Sequence, residues 1–377
     1  MTAAGPMRVV ATAGHVDHGK STLLRALTGM EPDRYEEERR RGITLDLGFV
    51  WTGLPSGQGV AFVDVPGHAR LVRTMLAGVG AVDLCLFVVA ANEGWMPQTE
   101  EHLRILELVG AADGVVALTK VDTVDRAGRG AARAALVDRL RGTFLEGRAI
   151  VEVDALHGQG MHDLAAALDE LVDRAPPPVA GVRPRLWVDR SFSIRGAGTV
   201  VTGTLGGGRL AVGDDVVAID ARGRSATTRV RGLQSQEQSH SSVGPGQRVA
   251  VNLTGVRHDA LGRGAVLVRA GQWRPTRRFD ALVRSLPDAE LANRGALLAY
   301  VGTSEQAARV RLLEGRERIE PGETGTARVW LACGAPLLPG DRFVLRDTGR
   351  AATVAGGEVL DVHPMLPVAK ARPDRSV

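Results

Sequence analysis

The sequence has little cysteine, little lysine and no long apolar run. Cys85 and Cys333 are its only cysteines. They lie far apart and beside apolar sequence, which argues against a disulfide framework or a cysteine metal site. No apolar run approaches the ~18 residues of a membrane-spanning helix, and the N-terminus lacks the basic and apolar blocks of a signal peptide. We therefore expect a protein of the reducing cytoplasm that does not engage a membrane.

Length and charge indicate several domains and a polyanionic partner. The 377 residues exceed what one hydrophobic core usually organises, so two or three domains are expected. Residues 1–180 hold 18 basic and 24 acidic side chains, whereas residues 181–377 hold 29 and 19. The basic C-terminal part favours a nucleic acid as partner, although arginine-rich surfaces also occur without one.

The N-terminal part has the pattern of an α/β domain. Apolar segments that suit buried strands, beginning with Arg8–Ala13, alternate with helical spacing such as Thr99–Val109 and Ala131–Leu140. This alternation predicts a mostly parallel sheet with helices on both faces over residues 1–175.

The remainder of the chain has a different pattern. Residues 176–182 form a proline-rich linker. Short alternating strands separated by glycine turns follow, and they predict two small β-barrels, at 183–270 and 271–365. Residues 366–377 have the composition of a tail or of the start of a further linker.

The stretch Gly14–Ser21 reads GHVDHGKS and lies between a predicted strand and a predicted helix. In such a GxxxxGK[ST] phosphate loop, backbone N–H groups close around phosphates beside a helix N-terminus. Lys20 is expected to reach the outer phosphates and Ser21 to coordinate Mg²⁺. Only three of the 47 basic side chains are lysine, so retention of Lys20 favours a requirement for a compact ammonium. The predicted phosphate contacts are His15, Val16, Asp17, His18, Gly19, Lys20, Ser21 and Thr22.

The motif Thr119-Lys120-Val121-Asp122 follows another strand candidate and predicts selectivity for guanine. The Asp122 carboxylate can accept two hydrogen bonds from the N1 and amino edge of guanine, which adenine cannot supply. GTP is therefore expected in preference to ATP. Asparagine is more usual at the position of Thr119, and this departure weakens the expected support of the loop.

A second base-side element is expected at Asp154-Ala155-Leu156. There the backbone N–H of Ala155 would meet the guanine O6, with Leu156 completing the loop. Serine is more usual at the position of Asp154, so this is a second departure.

Two further motifs predict hydrolysis of the nucleotide. In Asp64-Val65-Pro66-Gly67-His68, Asp64 would hold Mg²⁺ through water, the Gly67 N–H would sense the γ-phosphate, and His68 would be the catalytic residue beside the attacking water. Thr44, in the sequence RGIT, would reach the same Mg²⁺ while the γ-phosphate is present. Each motif alone could be a turn at a strand end. Together the five motifs, which follow one another along the chain as GHVDHGKS, RGIT, DVPGH, TKVD and DAL, predict an enzyme that hydrolyses GTP to GDP and phosphate.

The combination GHVDHGKS, RGIT, DVPGH and TKVD, followed by Gly196–Thr204, resembles elongation factor Tu and other translational GTPases. The resemblance covers essentially the whole chain and implies an α/β P-loop GTPase domain followed by two β-barrels. The short segment between Lys20 and Thr44, with Leu23–Gly29 and Arg40–Phe49, is similar to the selenocysteine-specific elongation factors, the SelB family. The threonine of TKVD is usual in that family.

The resemblance implies a monomeric factor that delivers selenocysteyl-tRNA to the ribosome with GTP and Mg²⁺. A general aminoacyl-tRNA carrier and a regulatory GTP-binding module without hydrolysis are the alternatives. The short segment before RGIT argues against the first, and the histidine of DVPGH argues against the second. Bacterial SelB proteins bind an mRNA hairpin through winged-helix repeats, so contact with that mRNA element would need a C-terminal region that this sequence lacks.

The resemblance also implies roles for two further sets of residues. Val16 and Ile43 match the hydrophobic gate that restrains the catalytic histidine, although ordinary packing explains them equally well. Asp189, Arg190 and Arg248 match the selenocysteine pocket of SelB proteins, in which guanidinium groups would favour a selenolate over a serine hydroxyl. A surface ion pair is the alternative for these three residues.

Overall fold

The computed structural model describes residues 7–32, 44, 46–67, 72–79, 82–177, 181–194, 196, 198–293 and 295–374. Two compact units make up the chain: Met1–Pro178 with Gly246–Arg248, and Val179–Pro245 with Val249–Val377. Within the described residues, no helix combines the length and the apolar composition that a membrane crossing requires.

The first unit contains a six-stranded sheet and five helices within its described part. The strands are β1 (Arg8–Ala13), β2 (Gly48–Gly53), β3 (Gly59–Asp64), β4 (Leu84–Ala90), β5 (Asp113–Thr119) and β6 (Ile150–Glu152). The helices are α1 (Lys20–Thr28), α2 (Val72–Val79), α3 (Pro97–Val109), α4 (Arg126–Leu140) and α5 (Met161–Arg174). The strand order is β2-β3-β1-β4-β5-β6, and every pairing is parallel except that of β2 with β3.

The apolar runs of the sequence fill both faces of this sheet. Every residue of β4 and β5 is buried, as expected for central parallel strands that are covered on both sides. On one face, α1 and α5 pack apolar side chains against alternate residues of β4, including Leu86 and Val88. The intervening Cys85, Phe87 and Val89 are buried on the other face. The predicted parallel α/β architecture is confirmed.

The second unit is made of β-strands that form two closed barrels. The first barrel comprises β7 (Arg185–Ile194), β8 (Gly198–Gly206), β10 (Asp215–Ile219), β11 (Ser225–Ser235), β14 (Arg248–Leu253) and β15 (Val266–Arg269). Its order is β10-β15-β7-β8-β14-β11, and pairing of β10 with β11 closes the ring. The short strands β9 (Leu210–Ala211), β12 (Gln238–His240) and β13 (Ser242–Val243) accompany it.

The second barrel has the order β16-β21-β19-β18-β22-β23. Its strands are β16 (Thr276–Ser285), β18 (Leu297–Val301), β19 (Ser304–Leu312), β21 (Thr324–Ala335), β22 (Arg342–Asp347) and β23 (Ala352–Asp361), with the short pair β17 (Leu291–Ala292) and β20 (Arg318–Ile319). Two β-barrels after an α/β part confirm the predicted fold class. Both barrels fall in one compact unit, so their division into separate domains at residue 270 stays a prediction.

The side chain of Arg185 connects the two barrels and also contacts two tryptophan rings. The Arg185 guanidinium donates to both carboxylate oxygens of Asp341, at 2.5 and 2.6 Å, and to the Pro336 carbonyl at 2.8 Å. It also lies 5.7 Å from the ring centre of Trp187 and 5.1 Å from that of Trp273. Planar guanidinium groups suit both the bidentate and the stacked contact, so one side chain serves both interactions.

We predict that Arg185→Ala lowers the free energy of unfolding of the second unit by about 1–3 kcal/mol, because Asp341 loses charge-assisted hydrogen bonds. Denaturant unfolding followed by tryptophan fluorescence measures this change. Arg229→Ala is the control, because the ion pair of Arg229 with Asp215 is exposed on both sides and such pairs are worth about 0–1 kcal/mol. Equal losses in the two variants would contradict the prediction.

Candidate nucleotide-binding site

The predicted phosphate loop, Gly14–Gly19, connects β1 with α1, and its course depends on glycine. Gly14 has a φ of 136°, and a Cβ added there would lie 2.1 Å from the Val88 carbonyl oxygen. Gly19 has a φ of 82° and is the residue before α1. Side chains are strained at such angles, so these glycines allow the loop to turn sharply into the helix.

Lys20 points back into this loop. The residue is only 6% exposed, and Nζ donates to the carbonyl oxygens of Gly14 at 3.1 Å and His15 at 2.7 Å. The ammonium is therefore held by the loop's own backbone, in the position expected for a group that meets anionic phosphates.

Three predicted magnesium ligands meet beside Lys20. Ser21 Oγ donates to Asp64 Oδ2 at 2.7 Å and lies 2.9 Å from Thr44 Oγ1. Because Ser21 gives its only hydrogen to Asp64, Thr44 is the donor in the second contact. Two hydroxyls and a carboxylate offer the oxygen atoms that Mg²⁺ prefers, so the residues fit this ion.

Thr12 orients the carboxylate of that cluster, and sequence reasoning missed it. Its Oγ1 donates to Asp64 Oδ1 at 2.7 Å and accepts from the Val65 N–H at 3.1 Å. The only signal for it in the sequence is a hydroxyl within the otherwise apolar residues 9–13 of strand β1.

Gly67 lies against the phosphate loop. A Cβ at this position would approach Val16 N to 2.5 Å, Lys20 Nζ to 2.6 Å and the His15 carbonyl carbon to 2.8 Å. A residue with a side chain could not come this close without displacing the loop. His68 and Ile43 lie outside the described residues, so the predicted catalytic histidine and one side of the hydrophobic gate are not described.

Helix α3 supports the loop with two polar side chains that sequence reasoning missed. The Gly14 N–H donates to His102 Nδ1 at 3.0 Å, and the Val16 N–H donates to Gln98 Oε1 at 3.2 Å. Burial lowers the pKa of His102 to about 3, and the nearby Lys20 ammonium adds to this effect. His102 is therefore neutral near pH 7, as an accepting ring nitrogen requires.

His18 is buried within the loop itself. Its Nδ1 lies 3.3 Å from the Val88 carbonyl oxygen. Burial lowers the pKa of His18 to about 4, so this ring is also neutral near pH 7.

The TKVD motif is connected to the same loop. Thr119 Oγ1 donates to the His18 carbonyl oxygen at 2.7 Å, so the threonine ties the end of β5 to the phosphate loop. Lys120 has a φ of 55°, and its Nζ donates to Glu93 Oε1 at 2.9 Å. Asp122 is exposed at the surface of this region. Glu93 is a partner that the sequence pattern did not indicate.

Asp154 closes the loop that contains Ala155 and Leu156. Its Oδ1 accepts from the N–H groups of Leu156 at 2.9 Å and His157 at 3.1 Å, and its Oδ2 lies 2.5 Å from His157 Nδ1. Burial raises the pKa of Asp154, but the hydrogen bonds from His157 and from the backbone outweigh it and leave the pKa below its usual value. Oxygen and nitrogen atoms of Asp122, Asp154 and His157 lie within 4.8 Å of one another, so the two predicted base-side motifs meet.

The residues predicted for a selenocysteine pocket lie in the first barrel. Asp189 is buried on β7 and accepts from Thr202 Oγ1 of β8 at 2.7 Å. Arg190 pairs with Thr202 in the strand register, next to an irregularity at residue 189. Arg248 begins β14, which lies on the other side of β8. Thr202 is a further contact that the sequence did not indicate.

Comparison with protein families gives two matches. The family described as the elongation factor Tu GTP binding domain matches residues 5–174. The family described as the selenocysteine-specific elongation factor, beta-barrel domain, matches residues 278–365.

Individual proteins show the same similarity. A selenocysteine-specific elongation factor of Desulfomicrobium baculatum is 39% identical over 355 residues, which are 94% of this chain and 55% of that protein. Elongation factor Tu 2 of Streptomyces avermitilis is 34% identical over 384 residues, covering 94% of this chain and 96% of that protein. The crystal structure of a bacterial selenocysteine-specific elongation factor, EF-Sec, superposes with a TM-score of 0.86 at 31% identity, covering 96% of this chain and 59% of that one. The chain thus spans little more than half the length of these selenocysteine-specific relatives.

Proposed function

This chain belongs to the elongation factor Tu-type translational GTPases, and on that premise we propose that it is a selenocysteine-specific member that delivers selenocysteyl-tRNA to the ribosome in a GTP-dependent way. The observation that carries the proposal is the meeting of the phosphate loop, the Ser21–Thr44–Asp64 cluster and the two base-side motifs at one end of the α/β sheet. We propose that the protein acts as a monomer in the cytoplasm.

The proposed phosphate site uses the Lys20 ammonium and the backbone N–H groups of residue 15 and of residues 17–22, because the Val16 N–H already donates to Gln98. Mg²⁺ would be held by Ser21 and Thr44 directly and by Asp64 through water, and when bound it would neutralise phosphate charge. The Gly67 N–H would donate to the γ-phosphate, whose contacts also keep Thr44 in place.

Hydrolysis in this proposal depends on the residue after Gly67. His68 would orient the water that attacks the γ-phosphorus, and the bond from the γ-phosphorus to the β-phosphate oxygen would break to give GDP and phosphate. Val16 and Ile43 would restrain His68 until the ribosome repositions it. Loss of the γ-phosphate would release Thr44 and so lower the affinity for tRNA.

The base site in this proposal reads guanine by three groups. The Asp122 carboxylate would accept from N1–H and the 2-amino group, and the Ala155 N–H would donate to O6. The alkyl part of Lys120 would cover the base, while Glu93 holds its ammonium. The Leu156 N–H would not contact the base, because it already donates to the Asp154 carboxylate.

The tRNA would bind to the β-barrels, which belong to the basic part of the sequence. Asp189, Arg190 and Arg248 would form the selenocysteine pocket. A selenol is acidic enough to be a selenolate at neutral pH, so guanidinium groups would bind it better than a neutral hydroxyl.

We predict that Arg248→Ala weakens selenocysteyl-tRNA binding by about ten- to a hundredfold, because one charged hydrogen bond is lost, and hardly changes seryl-tRNA binding. Filter binding in the presence of GTP measures both affinities. Arg257→Ala is the matched control, since Arg257 is an exposed arginine of the same barrel that pairs with Asp259. Equal weakening of both tRNAs by Arg248→Ala would instead make Arg248 a phosphate contact.

Two measurements test the proposed function itself. GTP turnover should rise when ribosomes and selenocysteyl-tRNA are present, whereas a regulatory module without hydrolysis would show no rise. Retention of selenocysteyl-tRNA should exceed that of seryl-tRNA and of mixed aminoacyl-tRNA. Equal retention of all three would identify a general carrier of the elongation factor Tu type.

A further inference from the structure

Two carboxylates stand at the guanine edge of the proposed nucleotide site. Asp122 is exposed, whereas Asp154 is only 3% exposed. Oxygen atoms of the two carboxylates and a ring nitrogen of His157 lie within 4.8 Å of one another. Asp122 alone accounts for the recognition of N1–H and the 2-amino group, so Asp154 is a second negative charge that guanine binding does not require.

An uncompensated second carboxylate would oppose guanine binding in two ways. Like charges a few ångströms apart disfavour ionisation of both groups, and Asp122 must be ionised to accept two hydrogen bonds. The guanine O6 is itself an acceptor, so negative charge beside the Ala155 N–H would repel it.

The contacts of Asp154 show how this charge is offset. Three donors from its own loop reach the carboxylate: the N–H groups of Leu156 and His157, and the His157 ring. A carboxylate only accepts, so His157 Nδ1 carries the hydrogen in the 2.5 Å contact. The ring contact fixes Oδ2, and the two backbone contacts fix Oδ1.

We propose that His157 is a positioning residue of the guanine site: it holds the Asp154 carboxylate by a hydrogen bond that partly offsets its negative charge, so that Asp122 acts as the sole acceptor for guanine and the Ala155 N–H stays directed to O6. This inference rests on the proposed GTP-binding function. In this arrangement Asp154 and His157 act as a pair that replaces a single neutral side chain. The histidine is needed only because residue 154 is an aspartate.

A double-mutant cycle tests this dependence. The affinity of the full chain for fluorescent GDP is measured for the wild type, His157→Ala, Asp154→Ser and the double variant. His157→Ala should weaken GDP binding by about tenfold, as expected for loss of a charge-assisted hydrogen bond. In the Asp154→Ser background the same change should alter the affinity by no more than about twofold, because no charge remains to be offset.

Two controls separate this role from a merely structural one. The His157 side chain is 74% exposed, so its replacement should not unfold the protein. His162→Ala removes another exposed histidine, which lies 3.7 Å from Asp163 on α5, and should leave GDP affinity unchanged. The preference for GDP over inosine diphosphate, which lacks the 2-amino group, should also fall in His157→Ala, because the defect acts on Asp122.

The outcomes are distinguishable. Equal losses on replacing His157 in both backgrounds, or no loss in either, would overturn the role of His157 while leaving GTP binding intact. A wild-type chain that binds no GDP would overturn the proposed function and with it this inference.

Discussion

Asp122→Asn should lower the affinity for GTP by about 10²- to 10⁴-fold, because the proposed site loses two charged hydrogen bonds to guanine. The same change should raise the affinity for xanthosine triphosphate. An amide at residue 122 can donate to the 2-oxo group of xanthine, whereas the carboxylate can only accept. Competition against fluorescent GDP measures both nucleotides on one protein.

Asp125→Asn is the matched control for this prediction. Asp125 lies three residues further along the same loop, where its carboxylate caps helix α4 by accepting from the Gly128 N–H at 2.8 Å. Asparagine caps helices about as well as aspartate, so neither stability nor nucleotide preference should change. Unchanged GTP affinity in Asp122→Asn would show that the base is read elsewhere.

The fold was predictable from the sequence because its main determinants are local. Continuous apolar strands such as β4 can only be buried on both faces, and alternation with helical spacing then requires a layered α/β arrangement.

The helix starts were less predictable. Helix α3 begins at Pro97 and not at Thr99, since proline suits the first helical turn. Helix α4 begins at Arg126 after the Asp125 cap, but its glycines hid that start, because glycine has low helix propensity.

The candidate site was predictable where spacing along the chain determines the geometry. Gly14, Lys20 and Ser21 belong to one short segment, and their mutual positions follow from the loop and the helix that it enters. Support from distant parts of the chain gave no such signal. His102 accepts a hydrogen bond from the Gly14 N–H, although the two residues are 88 positions apart. Thr12 donates to Asp64, which lies 52 residues further along the chain.

The two departures from the usual motifs also depended on tertiary contacts. The sequence shows that Thr119 and Asp154 differ from the usual residues, but not what replaces the lost interactions. Thr119 donates to the His18 carbonyl, which lies 101 residues away, so a hydroxyl suffices to tie the two loops together. For Asp154, the compensating His157 is close in sequence, but a histidine three residues later is too common a feature to be recognised alone.

Gly67→Ala should reduce ribosome-stimulated GTP hydrolysis by about 10²- to 10³-fold, the usual cost of losing one backbone donor to a developing negative charge. The added Cβ would lie within 3 Å of Val16 N, Lys20 Nζ and the His15 carbonyl carbon, so the segment after Asp64 must move away from the phosphate loop. That movement would withdraw the Gly67 N–H from the γ-phosphate and displace the residue that follows it. GDP lacks the γ-phosphate, so its affinity should remain close to that of the wild type.

Single-turnover hydrolysis with ribosomes, together with GDP binding, separates these two effects. Gly130→Ala is the control, because Gly130 lies in helix α4 and an added Cβ there would meet no described atom within 4 Å. That variant should hydrolyse GTP at the wild-type rate and be at least as stable, since alanine favours a helix more than glycine does. Full hydrolysis by Gly67→Ala would place the γ-phosphate away from Gly67. Loss of GDP and GTP binding together would mean that the clash acts on Lys20 and the loop, and that Gly67 serves the geometry of the phosphate loop and not the hydrolysis step.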